Sequence, residues 1–104
     1  MPRAMSFTTA TVLHAVASGA GYGFDVIDST GLPSGTVYPA LARLERDGLV
    51  RSQWEQVAVA REEKRPPRRY YRITAQGTRV LTAQIARFRS LAPVSTPSPA
   101  RGRG

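Results

Sequence analysis

Glycine and proline divide the first half of this chain into segments too short to be stable alone. Gly19, Gly21 and Gly23 interrupt one apolar-periodic stretch, Gly31 and Leu32-Pro33-Ser34 end a second and open a third, and Gly48 closes the third. Short helices of this kind hold only by packing on one another. Residues 6–18 place Ala10, Leu13, Val16 and Ala17 on one helical face. A second helix is predicted over Phe24 to Ser29, with Phe24 and Ile27 inward and Asp25 near its N-terminus, where the helix dipole favours an acid.

The third helix, predicted from a Ser34 cap to about Asp47, carries an apolar stripe of Val37, Leu41, Leu44 and Gly48. At about 100° per residue its opposite face receives Gly35, Pro39, Ala42, Arg43 and Arg46, with Ser34, Thr36 and Tyr38 flanking its start. A solvent face is ordinarily filled with Glu, Lys and Gln. This one begins small and hydroxylic and ends in arginine, a composition suited to close approach and to bonding base edges and phosphates. Pro39 removes the amide that would bond the Gly35 carbonyl, so a loosened or 3₁₀-like first turn is expected.

Past Gly48, Leu49 to Glu55 reads as a strand, residues 57–67 as a loop ending in Pro66-Pro67, and Arg68 to Thr74 as a second strand. In that strand Arg69, Tyr71 and Ile73 share one face, and Arg68, Tyr70, Arg72 and Thr74 the other. Trp54 and Tyr71 are expected to anchor the hairpin and core. Thr74 is an N-cap for a final helix through Ala92, with the stripe Leu81, Ile85, Phe88 and Ala92 and with Val80, Gln84 and Leu91 beside it. The expected organisation is one domain over residues 1–92, including the helix 75–92, then a disordered basic tail over 93–104.

Charge narrows the function. The chain has 15 Lys+Arg against 7 Asp+Glu, a formal charge of +8. The first 60 residues hold more acids than bases; the excess sits in Arg61, Lys64, Arg65, Arg68, Arg69, Arg72 and Arg79 against Glu62 and Glu63, then in Arg87, Arg89, Arg101 and Arg103, and it is densest from Lys64 to Arg72. Clustering of this kind marks a footprint for a polyanion. There is no cysteine and one histidine, His14, read as a boundary residue, so disulfide, thiol and metal chemistry lack their residues, and no cofactor is expected. No carboxylate pair, nucleophile–base pair or phosphate loop is present; Gly19 to Gly23 lacks a preceding strand and a following Lys-Ser/Thr, so no enzyme activity is expected. No apolar run approaches the ~20 residues of a membrane span. The stretch after Arg3 imitates a signal peptide, but Thr8, Thr9, Thr11 and His14 interrupt it, and a cytoplasmic chain is expected.

Helix, helix, helix, basic hairpin, helix is the order of a winged helix-turn-helix, an α+β fold that is mainly α. In this fold the third helix enters the major groove and the hairpin, or wing, reaches backbone or minor groove. The reading is of a double-stranded DNA-binding protein. Two rivals carry the same charge: a winged-helix module binding an acidic protein, in which Thr36 and Tyr38 would be free to vary, and a membrane-surface protein, which lacks the apolar face that anchoring needs.

Several segments resemble the PadR family of bacterial transcription regulators. Gly21-Tyr22-Gly23-Phe24-Asp25-Val26-Ile27 is similar to that family's opening of helix two, and Ser34-Gly35-Thr36-Val37-Tyr38-Pro39-Ala40-Leu41 to its recognition-helix signature, continued by Arg43 to Val50. Arg68-Arg69-Tyr70-Tyr71-Arg72-Ile73-Thr74-Ala75-Gln76-Gly77 resembles its wing strand and the start of its fourth helix. The resemblance implies DNA-binding homodimers, commonly repressors, on inverted repeats. It implies Tyr22 and Gly23 near phosphate, Ser34, Thr36 and Tyr38 facing the major groove, and Lys64, Arg65, Arg68 and Arg69 lining the wing. Many members add C-terminal helices for dimerisation and effector binding, so a small-molecule effector of unspecified chemistry is admitted. This chain is similar to the short form, in which one terminal helix packs across the two-fold axis. Leu81, Ile85, Phe88 and Ala92 fit that task, and fit equally the completion of the monomer's own core.

Overall fold

In the computed structural model, which describes residues 5–91, α1 (Phe7–Ala17) lies at the centre, packed by α2 (Gly23–Thr30), α3 (Ser34–Arg46), α5 (Ala75–Leu91) and strand β2 (Arg69–Ile73). Its burial is correspondingly broad: Thr9, Ala10, Val12, Leu13, Ala15 and Val16 are all inside. Ala17, expected on the inner face, is exposed, because Val12 and Ala15 take the side turned to the other elements. A helix surrounded by partners needs no single apolar stripe. Ser6 caps it, its hydroxyl accepting from the Thr9 amide at 3.1 Å.

Val26, Val37, Leu41, Leu44, Leu49, Val50 and Leu81 close the core around α1. Leu81 therefore belongs to the monomer's own core. In α2 the inner positions are Val26 and Ile27; Phe24, two residues before Val26 and so near the opposite side of the helix, is 64% exposed rather than inward. Gly31 ends α2 in the left-handed conformation, φ +73°, and its amide donates to the Ile27 carbonyl.

The N-cap of α3 is Pro33, one residue before the expected Ser34. Its carbonyl accepts from both the Thr36 and Val37 amides, at 2.9 and 3.0 Å, a partly 3₁₀ first turn. The helix then continues through Pro39 without a break, and Gly35, whose carbonyl lacks the Pro39 amide, is exposed.

β1 (Val50–Trp54) and β2 pair antiparallel, Val50 with Ile73 through Trp54 with Arg69. The segment between them is not an irregular loop: it contains a one-and-a-half-turn helix, α4 (Val57–Glu62), with Ala60 buried. Its end supplies the reason. The Lys64 amide donates to the Arg61 carbonyl and the Arg65 amide to the Ala60 carbonyl, with Lys64 at φ 57°. This is the Schellman arrangement, with lysine where glycine is usual. Such an end is invisible to a search for glycine.

Thr74 caps α5 as expected, accepting from the Gly77 amide at 2.9 Å while its hydroxyl and amide reach back to Gly48 and Leu49 carbonyls. A Cβ at Gly77 would collide with the Leu49 carbonyl, so α5 docks closely on the α3–β1 turn only because residue 77 is glycine. Ile85, Phe88 and Leu91 lie further along α5; Phe88 meets Phe7 edge-on at 5.2 Å, and Leu91 is exposed. Ala92 and the tail 93–104 lie outside the described residues.

Candidate nucleic-acid interface

Three pieces of chain converge on one cleft of about 560 Å3: the N-terminus of α2 (Tyr22, Gly23, Phe24), Tyr38 of α3, and the wing, with Trp54, Arg65 to Arg69 and Tyr71. Local structure explains the convergence. The Asp25 carboxylate accepts from the Gly21 amide at 3.2 Å and so folds the chain back at the start of α2. The turn before α2 is joined to the wing: the Tyr71 amide donates to the Gly21 carbonyl at 2.8 Å, and Tyr22 forms an antiparallel bridge with Tyr70. Gly23 has the Tyr38 ring and hydroxyl where a side chain would begin, so α2 and α3 meet face to face at that point.

The exposed surface of α3 continues from this cleft. Gly35, Pro39 and Ala42 lie along its middle, all exposed and all with little side chain beyond Cβ. Helical spacing sends Thr36 and Tyr38 off its two flanks. Tyr38 turns toward Gly23, and Thr36 is half-buried. Ser34 is exposed at the helix start. A backbone this thinly covered can approach another surface closely.

The arginines are sorted differently from the sequence expectation. Arg65 grips Glu55 with two nitrogens, at 2.6 and 2.9 Å, and that pair is largely covered. The bidentate bond holds the Glu55 carboxyl down from 4.5 to about 2 and drives the Arg65 pKa further up. Glu55 also accepts from the Arg68 amide at 3.1 Å. Arg69 donates to Glu45 at 3.0 Å and to Ser52 at 2.9 Å. Arg65 and Arg69 thus line the cleft with their charges already matched. Lys64 is exposed on the wing. Arg68 has no carboxylate partner among the described residues; its guanidinium carbon stands 4.2 Å from the centre of the Tyr22 ring, and the Tyr70 side chain favours its charged form.

Arg43 and Arg46 are not brought to this cleft. Arg43 reaches Thr9 of α1 at 3.4 Å, Arg46 lies 3.5 Å from Asp47, and both border a separate depression beside the N-terminus of α1. Two aromatics that do line the cleft, Phe24 and Trp54, were expected to face the core. Trp54 shares its strand face with the buried Val50, but the hairpin runs past the end of the core, and Trp54 is 61% exposed. Tyr71 does pack against the core, and that burial raises its phenol pKa.

Three helices, a two-stranded wing and a C-terminal helix define a winged helix-turn-helix protein. Residues 12–83 match the Transcriptional regulator PadR-like family, and the chain belongs to that family. Solved structures agree: a PadR-like transcription factor from Bacteroides fragilis is 26% identical, with 80% of this chain and 81% of that one superposed at a TM-score of 0.68. A PadR family transcriptional regulator from Eggerthella lenta is 30% identical over 81% of this chain and 77% of that one, at 0.63. A third, from Clostridium difficile, shares the fold at a TM-score of 0.71 with 21% identity, over 83% and 91% of the two chains. A search of curated proteins finds no match. The chain is accordingly a DNA-binding transcriptional regulator, not an enzyme. Among the described residues, no helix is long and apolar enough to cross a membrane, and no three His, Cys, Asp or Glu residues cluster as for a metal.

Proposed function

We propose that this chain is a homodimeric repressor that reads an inverted-repeat operator with the exposed start of α3. Ser34, Gly35, Thr36, Tyr38 and Pro39 approach the base edges. Tyr22, Gly23, Lys64 and Arg68 face the backbone beside them, with Arg46 at the far end of the helix. The observation that carries this reading is the thin, uncharged first half of the outer surface of α3, Ser34 to Ala42, lying next to a cleft lined by Arg68, which has no carboxylate partner among the described residues. Direct readout needs close approach, and the wing supplies affinity that does not depend on sequence. Dimerisation draws on a second surface: Phe7 (67% exposed), Leu91 (66%) and the half-covered Ile85 and Phe88 leave an apolar strip along α1 and α5 that a monomer has no use for. Two copies paired there would present two α3 helices to successive major grooves about one helical turn apart.

Competition gel shifts with a duplex selected from a random pool and with unselected duplex test the first part. Thr36→Ala should weaken selected binding by ~1–3 kcal/mol and leave unselected binding unchanged. Equal loss on both would remove Thr36 from base readout. Sedimentation of Ile85→Glu tests the second: the variant should be monomeric and bind half-sites only. Transcription from a template bearing the selected site upstream of or across a promoter then decides repression.

A further inference from the structure

The middle of the outer face of α3 carries no side chain that can hydrogen-bond a base. Gly35, Pro39 and Ala42 share that face, and all three are exposed. Their polar neighbours lie off it: the Arg43 guanidinium is 3.4 Å from the Thr9 hydroxyl, Tyr38 turns toward Gly23, and Thr36 is half-buried on a flank. Ser34 precedes the stretch and Arg46 follows it. From Gly35 to Ala42 the helix rises about 10 Å, the length of about three base-pair steps. Two of the three residues have no internal explanation. Glycine and proline are the types a helix tolerates least. Gly35 does not occupy the left-handed region, and a Cβ there would meet no atom within 4 Å. Pro39 stands past the first turn of α3 and is exposed, so its ring fills no gap in the core. Local rules broken without an internal reason mark a surface shaped for something outside the chain.

We propose that this stretch reads the methyl groups of thymines. Pro39 and Ala42 pack on thymine C5-methyls in the major groove, and Gly35, having no side chain, leaves the clearance that lets the helix sit that deep. Every base edge in that groove offers nitrogen or oxygen atoms; the thymine methyl is its one apolar mark. A cytosine in the same place has no methyl to cover and presents an amino group that neither Pro39 nor Ala42 can accept from. The sequence preference of the chain is therefore carried at the centre of α3 by apolar contact, and Ala42 joins the residues that specify the operator. The assignment rests on the base-reading role of α3 and adds to it the chemical mark that is read.

The test uses the full chain and a duplex selected from a random pool, remade with deoxyuridine in place of each thymine in turn. Uracil keeps every hydrogen-bonding group of thymine and lacks only the methyl. Burial of one such group corresponds to roughly a fourfold change in affinity. Uracil at the thymines facing Pro39 and Ala42 should weaken binding by about that factor, and uracil elsewhere should leave it unchanged. A C·G pair at the same place should bind more weakly still, and 5-methylcytosine in that pair should recover roughly the fourfold. In Ala42→Gly the thymine-to-uracil affinity ratio should fall to about one at one of these positions, and in Pro39→Ser at another. Each ratio is taken within one protein, so a loss of folded fraction in a variant cancels. Gly35→Ala should not lower the unfolding temperature, yet should weaken binding of the selected duplex several-fold. Selected duplexes with no thymine in common, ratios near one at every thymine in the unaltered chain, or ratios unchanged in both Ala42→Gly and Pro39→Ser would overturn the assignment. If the unaltered chain selects a duplex and uracil has no effect, only the methyl reading is wrong; if it selects none, the base-reading role of α3 fails first.

Discussion

Between α1 and α3, Val12, Leu13, Val37, Leu41 and Leu44 are almost wholly removed from water. Across residues 55–68 of the wing the contrast is plain. Ala60 alone is buried there, Val57 and Val59 stay largely exposed, and the geometry hangs on Glu55 accepting from Arg65 and from the Arg68 amide. Apolar burial is indifferent to pH and gains little from direction; a bidentate ion pair is directional and titrates. The helical half is therefore held mainly by apolar burial, and the wing beside Arg68 by a directional ion pair. A count of arginines overstates what the wing offers DNA, because part of the count maintains the wing.

The sharpest way to break this division is to damage each half separately. Leu41→Ala removes a fully buried side chain from the centre of the core. It should cost about 2–5 kcal/mol. Thermal unfolding followed by far-ultraviolet circular dichroism and by Trp54 emission should move down together, since the wing has no core of its own to survive on. A Trp54 transition that stayed in place would mean that the wing is an independent folding unit.

How much of this was legible in the sequence follows the same line. The Val37, Leu41 and Leu44 part of the α3 stripe, the Gly31 end of α2 and the Thr74 cap of α5 all depend on residues close together in the chain, and the structure has each of them where local rules put it; Gly48, expected on the same stripe, lies past the helix end and is exposed. The errors sit where a residue's surroundings are set from afar. Trp54 lies on the strand face that Val50 buries, yet whether anything covers it depends on how far the core extends. Phe24 was read as inward together with Ile27, three residues on, but α2 is buried on the Val26 side, about 160° round the helix from Phe24, and Ile27 is only partly buried. The pairing of Arg65 with Glu55 spans the whole of α4, so no periodicity could announce it. For the site, the residue types were readable; which of Arg65, Arg68 and Arg69 lacks a carboxylate partner among the described residues was not.

The second test acts on the wing alone. Glu55 has its carboxyl lowered from 4.5 to about 2, first by the hydrogen bonds from Arg65. A carboxyl depressed in the folded state stabilises that state above its unfolded pKa and ceases to do so as pH falls through the folded value. As pH falls from about 4.5 to 2, the protection of the Arg65 and Arg68 amides, measured against their intrinsic exchange rates, should drop while the amides of α1 and α3 remain protected. Glu55→Gln should show the same local loosening at neutral pH. If α1 and α3 lost protection in step with the wing, the two regions would be one cooperative unit and the distinction drawn above would fail.

The smallest expected effect concerns the end of α4. Lys64 adopts φ 57° with a Cβ present, a conformation glycine occupies without that cost. Lys64→Gly should tighten the wing by roughly 1 kcal/mol or less, since glycine's greater freedom in the unfolded chain offsets part of the relief. The same change removes an exposed charge, so affinity for duplex and stability should move in opposite directions. Lys64→Ala separates the two causes: it loses the charge and keeps the strain. Amide exchange at Arg65, whose bond to the Ala60 carbonyl closes the motif, should slow in the glycine variant alone, while both variants bind DNA less tightly. Equal exchange in the two would show that lysine sits in the left-handed conformation at no cost, and the wing would then be held by Glu55 without any opposing strain.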